Sequence, residues 1–328
     1  MINKIFNIIE YYDMGISVCS YWRCHGVLSE LSREGHINLI HGTWHDEWDI
    51  LRCADIAFFQ RPMSKNCLHQ VLSAKDHGLK VIVDIDDSTN PEPHNPSYAD
   101  WINEFDELAF TKIMLCADAV IVTNDYLKDF YSKYHHNIHV VPNAINDYYL
   151  DFSKPKQDKS ICYRGGNNHV MDLWEYRKEI INVMNTNPNW TFYSIGYDAD
   201  FIKKKVKNYQ YLGDFTIHQY FAQIKNLAPE IFIVPLEETE FNHTKSNIAW
   251  IEATVAGSAT LTPNWWKLSR VSETYKNKAT FETGLRKLIS SQNLRQEYYE
   301  KSKELIQNKY SLSKVNKKRL EIIKSVLK

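Results

Sequence analysis

The sequence predicts an α/β fold built from two doubly wound parallel sheets, and three observations carry that expectation. Short apolar runs alternate with helical patterns at spacings of about 20 to 30 residues, the signature of strand–helix–strand units. The series occurs twice, with a polar segment between. The chain has 328 residues, long enough for two domains with separate cores, and its 44% hydrophobic and 13% aromatic content is that of a globular protein.

In chain order, Lys4 to Tyr11 reads as a first strand, followed by a polar turn around Asp13 and Gly15 and a helix from about Tyr21 to Arg33. Val27, Leu28 and Leu31 give that helix its inward stripe. Ile37 to Ile40, Ala54 to Phe59 and Lys80 to Ile85 follow as strands, with a helix around Val71 to Lys75 between the last two. Ser88 to Ser97 carries three prolines and must be a loop. A helix from Tyr98 to Leu115, a strand from Ala119 to Thr123, a helix from Asp125 to Tyr134 and a strand from His139 to Pro142 complete the first series. The expected divisions are a first domain over 1–145, a linker over 146–159, a second domain over 160–310 and a closing helix over 311–328. Strands are expected at Ile161 to Tyr163, Thr191 to Ile195, Tyr209 to Leu212, Ile231 to Leu236 and Ala259 to Leu261, with helix from Trp266 onward, broken near Gln292 and Tyr310.

Composition narrows the function. No segment approaches the roughly 18 apolar residues of a membrane span, and the N-terminus is too interrupted by Glu10 and Asp13 for a signal peptide, so a cytoplasmic protein is expected. Cys19, Cys24, Cys53, Cys67, Cys116 and Cys162 form no CxxC pair and read as reduced core residues. Net charge is −1, yet residues 299–328 hold nine Lys or Arg against three Glu. A solvated helix face explains such a run more often than an anionic partner.

The most informative stretch is Phe241 to Gly257, FNHTKSNIAWIEATVAG. It follows the apolar run IFIVPL, and Ile248, Ile251 and Val255 at i, i+3 and i+7 mark a helix packing one stripe on the sheet, with Thr244 or Ser246 as N-cap. Unpaired N–H groups and the macrodipole make such a helix start an anion site. Lys245 adds a full charge there. Glu252 lies two turns on, roughly 10 Å along the axis, so a diphosphate at the helix start and ribose hydroxyls at the carboxylate fit the spacing; a surface Lys and a solvated Glu fit it as well.

This segment resembles the donor motif of retaining GT-B glycosyltransferases, family four in particular, in the variant with Lys-Ser followed six residues later by Glu. The resemblance implies two Rossmann-like domains facing across a cleft, with Lys245 on the donor diphosphate, Ser246 and Asn247 cradling it and Glu252 on the ribose. Where the family usually has another Glu, this chain has Thr244. The donor implied is a UDP- or GDP-linked sugar, and no cofactor is required, with a divalent cation as a further option.

Asp84, Asp86 and Asp87 close the fourth strand in VIVDIDDS, at the strand end that faces the ligand crevice of a parallel sheet. Three acids there need a metal, a cationic neighbour or a hydroxylated substrate. The run resembles the Ile-Asp-Asp-Asp element of one subgroup of these enzymes, implying sugar or acceptor contact from Asp86 and Asp87, with a divalent ion held there as the lesser option. Arg61, in FFQRP, ends the third strand and either neutralises those acids or contacts the diphosphate. Tyr163-Arg164-Gly165-Gly166 opens the second domain, with two glycines that let backbone approach a ligand, a planar guanidinium for phosphate, and His169 and Asp172 at helical spacing. Gly15 is a weaker first-domain counterpart.

His41 and His45 have ligand-like types but lack a helical register, and His135, His136 and His139 read as exposed. Trp265 and Trp266 either cover the cleft or pack under the final helices, with core packing the commoner outcome. The expected activity is transfer of a sugar to a hydroxyl acceptor, a glycan or polysaccharide precursor in the family's usual pattern. A hydroxylated or hydroxymethylated base in DNA is the alternative, since the Asn, Lys, Ile and Tyr-rich composition resembles large-phage proteins, some of which glycosylate their genomes. Near-neutral charge weighs against nucleic acid. A non-catalytic sugar-nucleotide binder or an epimerase of the same shape is the third reading.

Overall fold

The computed structural model describes residues 5–12, 18–42, 48–152 and 159–328. Twelve strands form two six-stranded sheets. The first contains β1 (Phe6–Tyr12), β2 (Ile37–His41), β3 (Ile56–Gln60), β4 (Lys80–Ile85), β5 (Ala119–Val122) and β6 (Ile138–Val140), in the order β2-β1-β3-β4-β5-β6. The second contains β7 (Ser160–Arg164), β8 (Thr191–Ile195), β9 (Tyr209–Tyr211), β10 (Ile231–Ile233), β11 (Ala259–Pro263) and β12 (Glu273–Tyr275), in the order β12-β11-β10-β7-β8-β9. Every pairing is parallel.

Alternate residues of each strand feed opposite faces, which is why central strands such as β3, β5 and β10 read as unbroken apolar runs. Ile56 and Phe58 of β3 pack on one side with Leu28, Ile82 and Ile121, whereas Ala57 and Phe59 pack on the other with Val71, Val83 and Phe110. In the second sheet Ile231 and Ile233 join the Ile161 face, and Phe232 joins Cys162 and Trp250. The order reverses direction between β7 and β10, and between β1 and β3. In open α/β sheets the crevice at such a switch point is where ligands bind.

The chain returns to its first half at the end. Ile145 N donates to Tyr310 O (2.9 Å) and Leu312 N to Ile145 O (2.8 Å), and the helix Leu312–Val326 lays Leu312, Val315, Ile322 and Ile323 on the face of the first sheet that holds Ile8, Val27 and Ile56.

Several elements depart from the sequence expectation. The run Ile231 to Leu236 is a strand only to Ile233, because Pro235 has no N–H to give the ladder. The hydroxyl of Tyr275 takes over there, donating to Val234 O (2.8 Å) and accepting from Leu236 N (2.7 Å). Its own strand, β12, falls where unbroken helix is expected. The helix expected over Tyr98 to Leu115 is two, Tyr98–Glu104 and Glu107–Cys116, with Asp106 capping the second through Ala109 N (2.7 Å). Tyr21–His25 is a π-helical turn before the helix Gly26–Arg33. Cys53 is exposed and Cys19 and Cys116 half-buried, so only Cys24, Cys67 and Cys162 are core residues as expected of all six. His135 is buried, its Nε2–H donating to Ala117 O (3.1 Å) while its Nδ1 accepts from Asn137 N (3.1 Å). Among the described residues no helix is long and apolar enough to cross a membrane.

Candidate active site

A cleft enclosing about 860 Å³ of open space lies between the two sheets, lined from the first by Cys19, Trp22, Asp86, Asp87 and Asn143 and from the second by Arg164, His169, Lys245, Ser246, Ala249 and Trp266. It opens at the switch point of the second sheet, where β7 ends in Arg164 and the chain after β10 runs through Val234, Pro235 and Leu236.

Lys245 and Ser246 precede the helix Ile248–Val255, whose N-cap is Asn247. The expected caps, Thr244 and Ser246, lie upstream, because a short helix Glu240–Thr244, capped by Thr239, occupies the loop. Thr244 ends that helix fully buried; its hydroxyl donates to Phe241 O (2.6 Å) and accepts from Ser88 N (3.3 Å), and its carbonyl accepts from Asn124 Nδ2 (2.7 Å). It therefore joins the halves of the molecule and does not line the cleft. Lys245 leaves the short helix with its ammonium 4.3 Å from the Phe241 ring centroid and 3.6 Å from Asp87 Oδ1.

The helix Ile248–Val255 is buried on all sides, not along one stripe, since it is packed between the sheet and the final helices; Trp250 Nε1 donates to Ser302 Oγ at 3.0 Å. Glu252 is consequently inside the protein, fully buried beneath the cleft floor. Arg164 forks onto its Oε2, with Nε at 3.0 Å and Nη2 closer still, and Tyr220 Oη donates to the same oxygen at 3.0 Å. Burial works against the Arg164 charge, but Glu252 outweighs it and raises the pKa of the guanidinium. The other carboxylate oxygen, Oε1, is buried without a hydrogen-bond partner. Glu252 thus anchors Arg164 at the cleft wall.

A Cβ on Gly165 would sit 2.2 Å from Tyr163 Oη and 3.0 Å from His169 Cβ, so packing against those side chains already requires glycine there. Gly166 is looser, its nearest such contact being Asn168 Oδ1 at 3.3 Å. His169 gives its Nδ1 proton to Asp172 Oδ2 (2.8 Å), and Asp172 Oδ1 accepts from Glu237 N (3.0 Å) and Asn242 Nδ2 (2.6 Å). One buried carboxylate ties together the loops after β7 and β10.

Cationic neighbours offset the acids after β4. Arg23 makes a bidentate pair with Asp84, Nε to Oδ1 at 2.8 Å and Nη2 to Oδ2 at 2.9 Å, both side chains fully buried. Burial pushes the Asp84 carboxyl upward, with Arg23 opposing it. Arg61 takes Asp86 Oδ1 from Nε (3.0 Å) and Nη2 (2.7 Å), and Asp87 Oδ2 from Nη2 (3.1 Å). Burial pushes Asp86 up too, but the Arg61 charge and hydrogen bonds prevail and hold it below the ordinary carboxylate range. Arg61 has φ of 51°, a left-handed conformation costing about 1–2 kcal/mol for a residue with a Cβ. Of the two roles open to Arg61, neutralising the acids is the one its side chain takes. With their oxygens on Arg61 and Lys245, Asp86 and Asp87 are a poor fit for a divalent ion.

Gly15 lies outside the described residues, as does His45. Asn143, Cys19 and Trp22 line the cleft without having been singled out for it, and Trp266 takes the cleft position that the sequence ranked below core packing. Asn143 carries a relay, accepting from Arg23 Nη1 (3.0 Å) and donating to Ser246 Oγ (2.7 Å). A lone Asn beyond a strand end has no sequence signal. Burial, with Asp86 next to it, pushes the Cys19 thiol up to about 12, so it stays a neutral wall.

The architecture is the GT-B fold. A glycosyltransferase from Rickettsia africae is similar over 99% of each chain with 13% identity and a TM-score of 0.66. Sucrose-phosphate synthase from Thermosynechococcus elongatus covers 98% of this chain and 99% of its own, at 9% identity and 0.69. Anabaena HepE, solved in complex with UDP-glucose, covers 98% and 100% at 10% identity and 0.67. No known family's sequence pattern matches the chain, and no curated protein matches it.

Proposed function

We propose that the protein is a retaining glycosyltransferase that moves a sugar from a nucleoside-diphosphate donor to a hydroxyl acceptor, a glycan or glycan precursor. The observation that carries this reading is the convergence of Lys245, Ser246 and Arg164 on one cleft at the start of a buried helix. Unpaired helix amides, an ammonium and a guanidinium suit a diphosphate. The GT-B likeness agrees with it, and a UDP-sugar is the donor found with HepE.

In this reading the diphosphate takes the position near Lys245 that Asp87 now faces at 3.6 Å. Negative charge grows on the diphosphate as the glycosidic bond breaks, and Lys245, Arg164 and the Ile248 and Ala249 amides are preorganised to stabilise it. The leaving diphosphate can itself receive the acceptor proton, so no protein base is required. Arg61 holds Asp86 below the ordinary carboxylate range and also bonds Asp87, at the first-sheet wall where sugar and acceptor hydroxyls would lie.

The test is a thermal-shift panel of nucleoside diphosphates followed by a radiolabelled-sugar transfer screen with glycan acceptors and hydroxymethylated DNA. UDP or GDP should raise the melting temperature, and a glycan should take up label. Label on DNA would replace the acceptor; nucleotide binding without transfer or donor hydrolysis would leave a binder; and no nucleotide response at all would sink the reading.

A further inference from the structure

We propose that Glu10, His25 and His41 form a binding site for one divalent transition-metal ion of the zinc type, on the first sheet and separate from the diphosphate cleft. Glu10 Oε1, His25 Nδ1 and His41 Nδ1 lie within 4.8 Å of one another. They come from three elements: Glu10 from β1, His41 from the end of β2, paired with it in register, and His25 from the end of the Tyr21–His25 turn. Two imidazoles and a carboxylate are a donor set that zinc takes, with a fourth position left to water.

Glu10 is fully buried, and its partners are His25 Nδ1 (2.9 Å), His41 Nδ1 (2.6 Å) and the Cys24 thiol (3.6 Å). A divalent ion at the centre of these donors would replace the contacts they now make with one another. Ligands about 2.0–2.2 Å from a tetrahedral ion are separated by about 3.4 Å, so from 2.9 and 2.6 Å His25 must retreat by about 0.5 Å and His41 by about 0.8 Å. His41, 58% exposed, has the freedom to do so and opens the site to solvent.

Such an ion would pin the carboxyl ends of β1 and β2 to the π-helical turn. That turn carries Trp22, a wall of the cleft, and π-helical turns concentrate at functional sites.

The experiment uses full-length, tag-free protein stripped with a chelator and titrated with Co²⁺. One equivalent should develop the intense visible bands of a tetrahedral ion, Zn²⁺ should displace it, and Zn²⁺ should raise the melting temperature. H41A and H25Q should retain the far-UV spectrum of the parent yet bind Co²⁺ at least tenfold more weakly. Bands of hydrated octahedral Co²⁺ only, no thermal response to Zn²⁺, or variants that bind as the parent does would each reduce the cluster to a hydrogen-bonded carboxylate and overturn the proposal. None of these readouts depends on nucleotide binding, so they stand or fall apart from the transferase reading.

Discussion

Lys245 Nζ, on the loop after β10, lies 3.6 Å from Asp87 Oδ1, on the loop after β4. An ammonium suited to an anionic ligand is thus shared with a carboxylate of the opposite half, itself held by Arg61 at 3.1 Å. An incoming diphosphate would compete with Asp87 for Lys245. Lys245→Ala is expected to lower turnover about a hundredfold with little change in fold, because the lost interaction is one that strengthens as the leaving group gains charge. Near-normal turnover in that variant would remove the leaving-group argument.

Glu252→Gln should destabilise the protein by about 3 kcal/mol, the low end for breaking a buried ion pair, since Arg164 keeps 23% of its side chain exposed. Urea denaturation measures this. A loss below about 1 kcal/mol would mean that Arg164 finds another partner, and that Glu252 is no anchor.

Arg23 and Asp84 are both fully buried, so Asp84→Ala should cost about 3–5 kcal/mol by stranding the guanidinium. The double variant Asp84→Ala, Arg23→Met should recover much of that loss, since no charge is left unpaired. Because Arg23 also holds Asn143, which donates to Ser246, the double variant should still bind nucleotide more weakly. Equal stability of the single and double variants would contradict the pairing.

The two halves are also joined at the rim, where His94 Nε2 meets Glu237 Oε2 at 2.7 Å. That hydrogen bond raises the His94 pKa above its ordinary 6.5, with burial opposing weakly. A group that binds its proton more tightly when folded stabilises fully below its unfolded pKa and loses that contribution as pH rises through the higher folded value. Thermal midpoints measured from pH 6 to 8.5 should therefore carry a small downward component that His94→Ala abolishes. An unchanged slope in the variant would show that the contact is idle.

How far the sequence reached depends on whether local or distant residues decide an outcome. The central strands of both sheets were legible because two-sided burial makes them apolar runs, whereas the short edge strand β12 (ETY) was not, and the Lys245 loop was legible because strand-to-helix junctions have local signals. Glu252 was different. Its spacing from Lys245 fitted a ribose contact or a solvated carboxylate, yet Arg164 and Tyr220 close on it inside the protein, and no local pattern announces partners 88 and 32 residues away in the chain. Gly165 is ambiguous for a similar reason, since a glycine needed by Tyr163 looks the same in sequence as one needed by a ligand. Asn143 and Trp266 reached the cleft through tertiary placement alone.

The helix Leu312–Val326 completes the outer face of the first sheet, covering Ile8, Ile56 and Ala119. During synthesis that apolar surface must wait for the entire second sheet to be made before its cover exists. The early half of the chain is therefore sticky for most of its translation, and the molecule should acquire cooperative stability in one late step.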